Sequence, residues 1–213
     1  MAISPFQNIP ILESEDPLVD IETYAILCEP VYYNQGISTS QKIYLRKAVV
    51  TKLIAVQKHL PNHKLLVWDG LRSRDVQNKL YDKFYSLIKE KNPNFLEDAL
   101  LNEVGKFVTP ATDPNRIPPH STGAAVDLTL VEAITGIKLD MGTEFDDLTE
   151  LAATHSKNIS AVARGNRQLL LNAMETEGFV NYPEEWWHFS FGDQLAVLLA
   201  NQGVAIYGEV LQP

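Results

Sequence analysis

Two short stretches, far apart in the chain, constrain its folding more than anything else in it. His120-Ser121-Thr122-Gly123-Ala124-Ala125-Val126-Asp127 offers an imidazole and a carboxylate, and Glu185-Trp186-Trp187-His188 offers a second imidazole. Two histidines and an aspartate are three ligands of the kind a catalytic zinc takes, leaving a fourth position for water. A fold that uses His120, Asp127 and His188 in this way must bring the two stretches side by side. Glu185, three residues before His188, is a natural base for that water. The working expectation is a zinc peptidase.

The bulk properties leave that expectation open and close others. A chain of 213 residues fits one domain with a substantial core. A formal net charge of −9 argues against nucleic acid or an anionic membrane surface as the main partner. The single cysteine, Cys28, excludes an internal disulfide framework and reads as a small buried hydrophobe. Met1 to Pro10 carries no basic start followed by an apolar core, and no apolar run approaches membrane-spanning length, so the expected location is the cytoplasm.

Along the chain, residues 1–37 read as an irregular, proline-punctuated arm with one short strand; Tyr24, Tyr32 and Tyr33 in it line a cleft or, more commonly, pack half-buried. Residues 39–60 follow helical spacing through Ile43, Val49, Val50, Leu53, Ile54, Val56 and Leu60, with a cap among Ser38, Thr39 and Ser40. His59 and His63 at its end read as solvated or dipole-facing histidines. Residues 64–69 form a buried strand, and a helix over 74–91 follows with Ser73 as its N-cap. Arg72 therefore sits at a strand-to-helix corner, either displayed at a site or paired structurally with Asp69 or Asp75. A loop-rich stretch, 92–119, with a short helix near 96–104, delivers the chain to His120.

Residues 124–130 alternate as a strand, with Ala125, Asp127 and Thr129 on one face and Val126, Leu128 and Leu130 on the other. Asp127 in such a strand needs a partner, which a metal supplies. A straight strand would put His120 and Asp127 on opposite faces, so Gly123 is expected to bend the chain between them. The segment from Met141 to Asp147 reads as a loop rich in carboxylates, and His155 as a loop residue. A helix over 160–177 stops at Gly178. Over 186–191 alternation places Trp186, His188 and Ser190 on one face and Trp187, Phe189 and Phe191 on the other. A short helix over 193–201 and an apolar tail, 192–213 in all, close the chain. Helices with non-repeating strands point to the α+β class.

The helical HExxH spacing of common zincins is absent. The pattern Pro-x-His-x-x-Gly-x-Ala-x-Asp at 118–127, Glu185-Trp186-Trp187-His188, Trp68-Asp69-Gly70-Leu71-Arg72 and Met141-Gly142-x-x-Phe-Asp146 together resemble the D-alanyl-D-alanine dipeptidases, the metallopeptidase group that includes the vancomycin-resistance dipeptidase. The resemblance covers the chain from about Leu65 to Phe189. It implies a single zinc peptidase domain over 1–213, with a small antiparallel sheet backed by helices, as in the D,D-peptidases and hedgehog modules.

The same resemblance implies one Zn2+ held by His120, Asp127 and His188, with Glu185 as general base and acid. It implies Arg72 as oxyanion stabiliser and Asp146 as the holder of the substrate's amino group, the substrate being a small dipeptide such as D-Ala-D-Ala. One departure stands out: the family usually has serine where this chain has Pro118, which supplies neither hydroxyl nor N–H. The rival readings are a D,D- or L,D-carboxypeptidase on peptidoglycan peptides and a non-catalytic zinc domain. The second predicts a crippled base or a missing arginine, whereas Glu185 and Arg72 both stand in place.

Overall fold

The apolar runs become strands of one central sheet, and the segments with helical spacing become helices laid against it. The structure, a computed structural model, describes residues 9–112, 116–201 and 203–210. The first eight residues of the arm and Pro114 lie outside the described residues. In chain order, β1 (Leu18–Asp20), a 3-10 turn (Ile21–Tyr24), β2 (Leu27–Cys28), α1 (Val31–Asn34) and β3 (Tyr44–Arg46) precede α2 (Lys47–Lys58). β4 (His63–Asp69), α3 (Arg74–Lys91) and α4 (Glu97–Phe107) lead to a 3-10 turn at Pro119–Thr122 and then to β5 (Ala125–Glu132). A 3-10 turn at Glu150–Ala152, α5 (Ala161–Thr176), β6 (Val180–Asn181), β7 (His188–Ser190) and α6 (Gln194–Leu199) complete the order.

The main sheet runs β2-β4-β5-β7-β6. Its pairings are antiparallel except at one edge, where β2 joins β4 in parallel. The α+β class expected from sequence holds, with that parallel edge as the difference from a purely antiparallel sheet. β5 is the middle strand, and Ala125 through Val131 are all buried. Its Val126, Leu128 and Leu130 share one core with Val49, Val50 and Leu53 of α2 and Leu170 and Met174 of α5. A second cluster packs Leu80, Phe84 and Ile88 of α3 against Leu100 and Val104 of α4, with Tyr32 among them.

Several expectations change. The helix expected over 39–60 begins only at Lys47, because residues 44–46 pair with β1 as a separate two-stranded ribbon. No side chain caps α2, so Ser38, Thr39 and Ser40 play no part there. His63 opens β4 rather than ending a helix, and His59 pairs with Glu177 at 2.7 Å. The strand expected over 186–191 shrinks to His188–Ser190, since a turn holds Glu185 N–H on the Tyr182 carbonyl at 3.0 Å. Trp186 and Trp187 precede that strand and are both buried in the main core. Cys28 is half-buried; its thiol donates to the Ile26 carbonyl, and burial pushes its pKa up to about 12.

The arm and the tail meet each other. Ile11 bridges Ala205 in parallel, and the Val210 N–H donates to the Ser121 carbonyl at 2.8 Å. Buried Arg46 ties both to the turn that carries His120: it pairs with Glu13 at 2.9 Å, lies over the Tyr207 ring and donates to the Thr122 carbonyl at 2.9 Å. Among the described residues no helix is long and apolar enough to cross a membrane.

Candidate active site

The strand pairing that buries the core also sets the two candidate ligand stretches together. On β5 and β7, Asp127 lies directly opposite His188, so their side chains project from the sheet as cross-strand neighbours. On the other side of β5, Asp127 faces Asp69 of β4, just past a bulge at Trp68. His120 arrives from outside the sheet. Its 3-10 turn ends at Gly123 in the left-handed region, φ 70°, where an added Cβ would come within 2.7 Å of Leu18. That turn, together with Gly123, resolves the strand-parity conflict between His120 and Asp127.

The three side chains converge. His120 Nε2 lies 3.1 Å from His188 Nδ1 and 3.2 Å from Asp127 Oδ2, and His188 Nδ1 lies 3.0 Å from Asp127 Oδ1. All three residues are buried. Ligands of tetrahedral zinc with bonds of 2.0–2.1 Å stand about 3.3 Å apart, so the donor set fits such an ion with little adjustment. Proton placement points the same way. His120 Nδ1 is 2.8 Å from the Gly70 carbonyl, which can only accept, so Nδ1 carries the hydrogen and Nε2 presents its lone pair. Gly70 is held close by β3: a Cβ there would meet the Tyr44 carbonyl at 2.7 Å.

Two imidazole nitrogens and a carboxylate aimed at one point repel one another until a cation sits among them. Without an ion, protons on the imidazoles take the cation's place, and the titration directions show their attraction to Asp127. Burial lifts the Asp127 pKa, but His120 and His188 outweigh it and hold the carboxyl well below the usual range. Burial lowers His120 and Asp127 outweighs it, leaving the net shift upward.

Glu185 Oε2 lies 3.9 Å from His188 Nδ1, at the rim of this triangle, with only 12% of its side chain exposed. Burial, then the charges of Asp127 and Asp146, raise its pKa well above the ordinary carboxylate value. Arg72 is buried and makes the structural pairing with Asp69, beside the candidate ligands. Its Nε and Nη2 donate to Asp69 Oδ2 at 3.0 and 2.7 Å, and Nη1 donates to Gln77 Oε1 at 3.0 Å. Nη2 still reaches to 3.5 Å from Asp127 Oδ2. Asp75 is not its partner but pairs with Lys79 at 2.7 Å.

Asp146 comes to the same place from the loop between β5 and α5, with φ 61° in the left-handed region. Its Oδ1 accepts from the Tyr32 hydroxyl at 3.0 Å, and its buried Oδ2 has no hydrogen-bond partner among the described residues. Burial pushes its pKa up to about 7 against the pull of Arg72. The aromatic residues fix this loop. Phe145 packs between Trp68, Trp187 and Tyr32 at centroid distances of 4.8, 5.5 and 5.7 Å. The Trp186 indole N–H donates to Thr143 Oγ1 at 2.8 Å. Arg167 donates to the carbonyls of Met141, Leu151 and Ala153 and lies over the Trp186 ring.

A profile of the Peptidase M15 family, described as D-Ala-D-Ala dipeptidase, matches residues 19–206. The chain belongs to this family. A D-alanyl-D-alanine dipeptidase of Synechocystis sp. is 30% identical over 244 aligned residues, covering 98% of this chain and 97% of its own length. One of Enterococcus faecalis is 32% identical over 158 residues, with 70% of this chain and 73% of its own covered. The solved structure of a mutant vancomycin-resistance D,D-pentapeptidase, VanY, in complex with Zn(II) aligns over 93% of this chain and 96% of its own at 14% identity and a TM-score of 0.48.

In this member of the D-Ala-D-Ala dipeptidase family, sequence reasoning passed over several residues that shape the site. Gln77 is buried and links Arg72 to the Thr109 carbonyl. Tyr32, read as one of three arm tyrosines, is the one that enters the site; Tyr33 is 41% exposed. Ser190 and Asp193 stand behind His188. Only Tyr32 carried a usable signal, its place among prolines and aromatics. Gln77 looks like any polar residue on a helix, and its burial follows from α3 and α4 meeting over the site. His155 is exposed and takes no part.

Proposed function

We propose that this chain is a zinc-dependent dipeptidase that cleaves D-alanyl-D-alanine or a similar short dipeptide containing D-amino acids, residues 1–213 acting as one peptidase unit. The observation that carries the reading is the triangle of His120 Nε2, His188 Nδ1 and Asp127, with donor spacings of 3.0–3.2 Å and Glu185 at its rim. Those three residues would hold the ion. When bound, Zn2+ supplies Lewis acidity to a carbonyl and acidifies a water. Glu185, at the rim of the triangle with 12% of its side chain exposed, takes the proton of the attacking water and returns it to the leaving amine. The Arg72 guanidinium, fixed by Asp69 and Gln77, stabilises the negative charge that develops on the carbonyl oxygen.

Asp146 favours a free dipeptide over a longer chain. Its unpartnered Oδ2 needs a donor, and the ammonium of an unblocked N-terminus provides one together with the compensating charge. The cleft over the ligands has a volume of about 60 Å³. Pro118 lines that cleft and offers no polar group to substrate. Ser121 does not stand in for the family's serine, because its hydroxyl donates to the Arg72 carbonyl at 3.2 Å. Amine release should be followed with D-Ala-D-Ala, L-Ala-L-Ala, L-Ala-D-Glu and N-acylated D-Ala-D-Ala, with and without chelator. The expected result is chelator-sensitive cleavage of free D-Ala-D-Ala. Preference for the acylated peptide would overturn the dipeptidase reading in favour of a carboxypeptidase.

A further inference from the structure

Behind His188, on the side away from Asp127, lies a carboxylate that the proposed reaction does not use. Asp193 is 0% exposed. Its Oδ1 accepts from the Ala196 N–H at 2.8 Å and so caps α6. Its buried Oδ2 has no hydrogen-bond partner among the described residues. Capping alone does not explain a carboxylate here, because asparagine or serine caps a helix about as well without burying a charge. An orphan charged oxygen in the interior costs stability, so what it does for the site must be sought next to it.

Next to it stands Ser190, also 0% exposed, two residues past His188 on β7. The Ser190 Oγ is 3.4 Å from His188 Nε2; burial raises the Asp193 pKa, and hydrogen bonding from Ala196 N–H and the Ser190 hydroxyl works against that rise. A hydroxyl can accept from one neighbour while donating to the next. His188 turns its other nitrogen, Nδ1, to Asp127 and to His120 Nε2. If Nδ1 is to be a ligand, the ring proton must stay on Nε2. The carboxylate is also electrostatically drawn to both His188 and His120.

We propose that Asp193 is a positioning residue for the metal centre, acting through the Ser190 hydroxyl to keep the His188 proton on Nε2 and its Nδ1 free to bind the ion. His188 Nε2–H donates to Ser190 Oγ, and the Ser190 O–H turns to the Asp193 carboxylate. The inference rests on the reading of His120, Asp127 and His188 as zinc ligands. Partners of this kind fix ring orientation and raise ligand basicity, and their loss typically costs roughly 10- to 100-fold in metal affinity.

Asp193→Asn keeps the helix cap and removes the charge. The metal-free variant should melt no lower than the parent chain, while its zinc affinity, measured by competition with a chromophoric chelator, should fall roughly tenfold or more. Ser190→Ala should produce a similar fall, and the double variant little more than either single one, since both cut the same relay. The visible spectrum of the Co2+-loaded chain should change with each. Zinc affinities within threefold of the parent in both single variants would overturn the relay while leaving the metal site standing. A parent chain that binds no zinc would overturn the site and the relay together.

Discussion

Asp146 and Glu185 are carboxylates held in surroundings that oppose their charge, and at the residue scale this sets the clearest tests. An aspartate in the unfolded chain titrates at about 3.9, whereas burial pushes Asp146 up to about 7. Between those values the folded chain keeps a proton that the unfolded chain has lost. Stability of the metal-free chain therefore falls as pH rises from about 4 to about 7 and levels off above. Asp146→Asn removes that dependence, and asparagine tolerates the left-handed backbone there. The variant should match the parent near pH 4 and exceed it near pH 8 by up to about 4 kcal/mol, read by calorimetry at the two pH values. Equal melting at pH 8 would show that Asp146 is better solvated than its burial indicates. Glu185→Ala tests the base: turnover should drop by roughly 10²- to 10⁴-fold while zinc affinity stays within a few-fold. Near-normal activity in that variant would sink the assignment. Neither carboxylate's environment was legible in sequence. Glu185 could be placed by its offset from His188, but Asp146 came only from family resemblance, because nothing in 141–147 announces that the loop folds inward under Phe145.

At the scale of elements, what the sequence revealed depended on whether local pattern or pairing decides the structure. α3 and α5 are amphipathic and capped by Ser73 and Ser160, whose hydroxyls accept from Val76 and Ala163; spacing made both readable, and cap chemistry the start of α3. β3 was not, since Leu45 and its neighbours continue the apolar rhythm of α2 and only β1, by pairing with them, makes a strand of them. The 3-10 turn carrying His120 was legible only as a need for a bend, with Gly123 as its means. Gly123→Ala tests that bend. Its left-handed backbone and the 2.7 Å approach to Leu18 make a methyl group costly, by about 1–3 kcal/mol. Because the same turn aims His120, zinc affinity should fall along with the denaturation midpoint. A variant that loses stability but binds zinc like the parent would show that β5 and the Arg46 contacts hold His120 without the turn.

For the whole molecule, the candidate metal centre is a junction of segments that no covalent cross-link joins. Asp127 sits on the middle strand, His188 on its neighbour, and His120 on a turn tied by Arg46 to both the arm and the tail. The order of the main sheet could not be read from sequence; the candidate ligands could, and they already required β5 and β7 to lie together. A cation bound there stabilises only the folded chain, because unfolding scatters its three ligands along the sequence. Stability should then rise with free zinc, by about 4 kcal/mol when zinc is a thousandfold above its dissociation constant. For a chain of this size that corresponds to a melting shift of roughly 10 °C. In scanning calorimetry the parent's melting temperature should climb with the logarithm of free zinc and collapse to a common lower value with chelator. His120→Ala, which removes one corner of the triangle, should start near that lower value and stay almost flat across the same zinc range. A variant that tracks zinc as steeply as the parent would place the stabilising ion elsewhere in the molecule, and with it the centre on which the proposed chemistry depends.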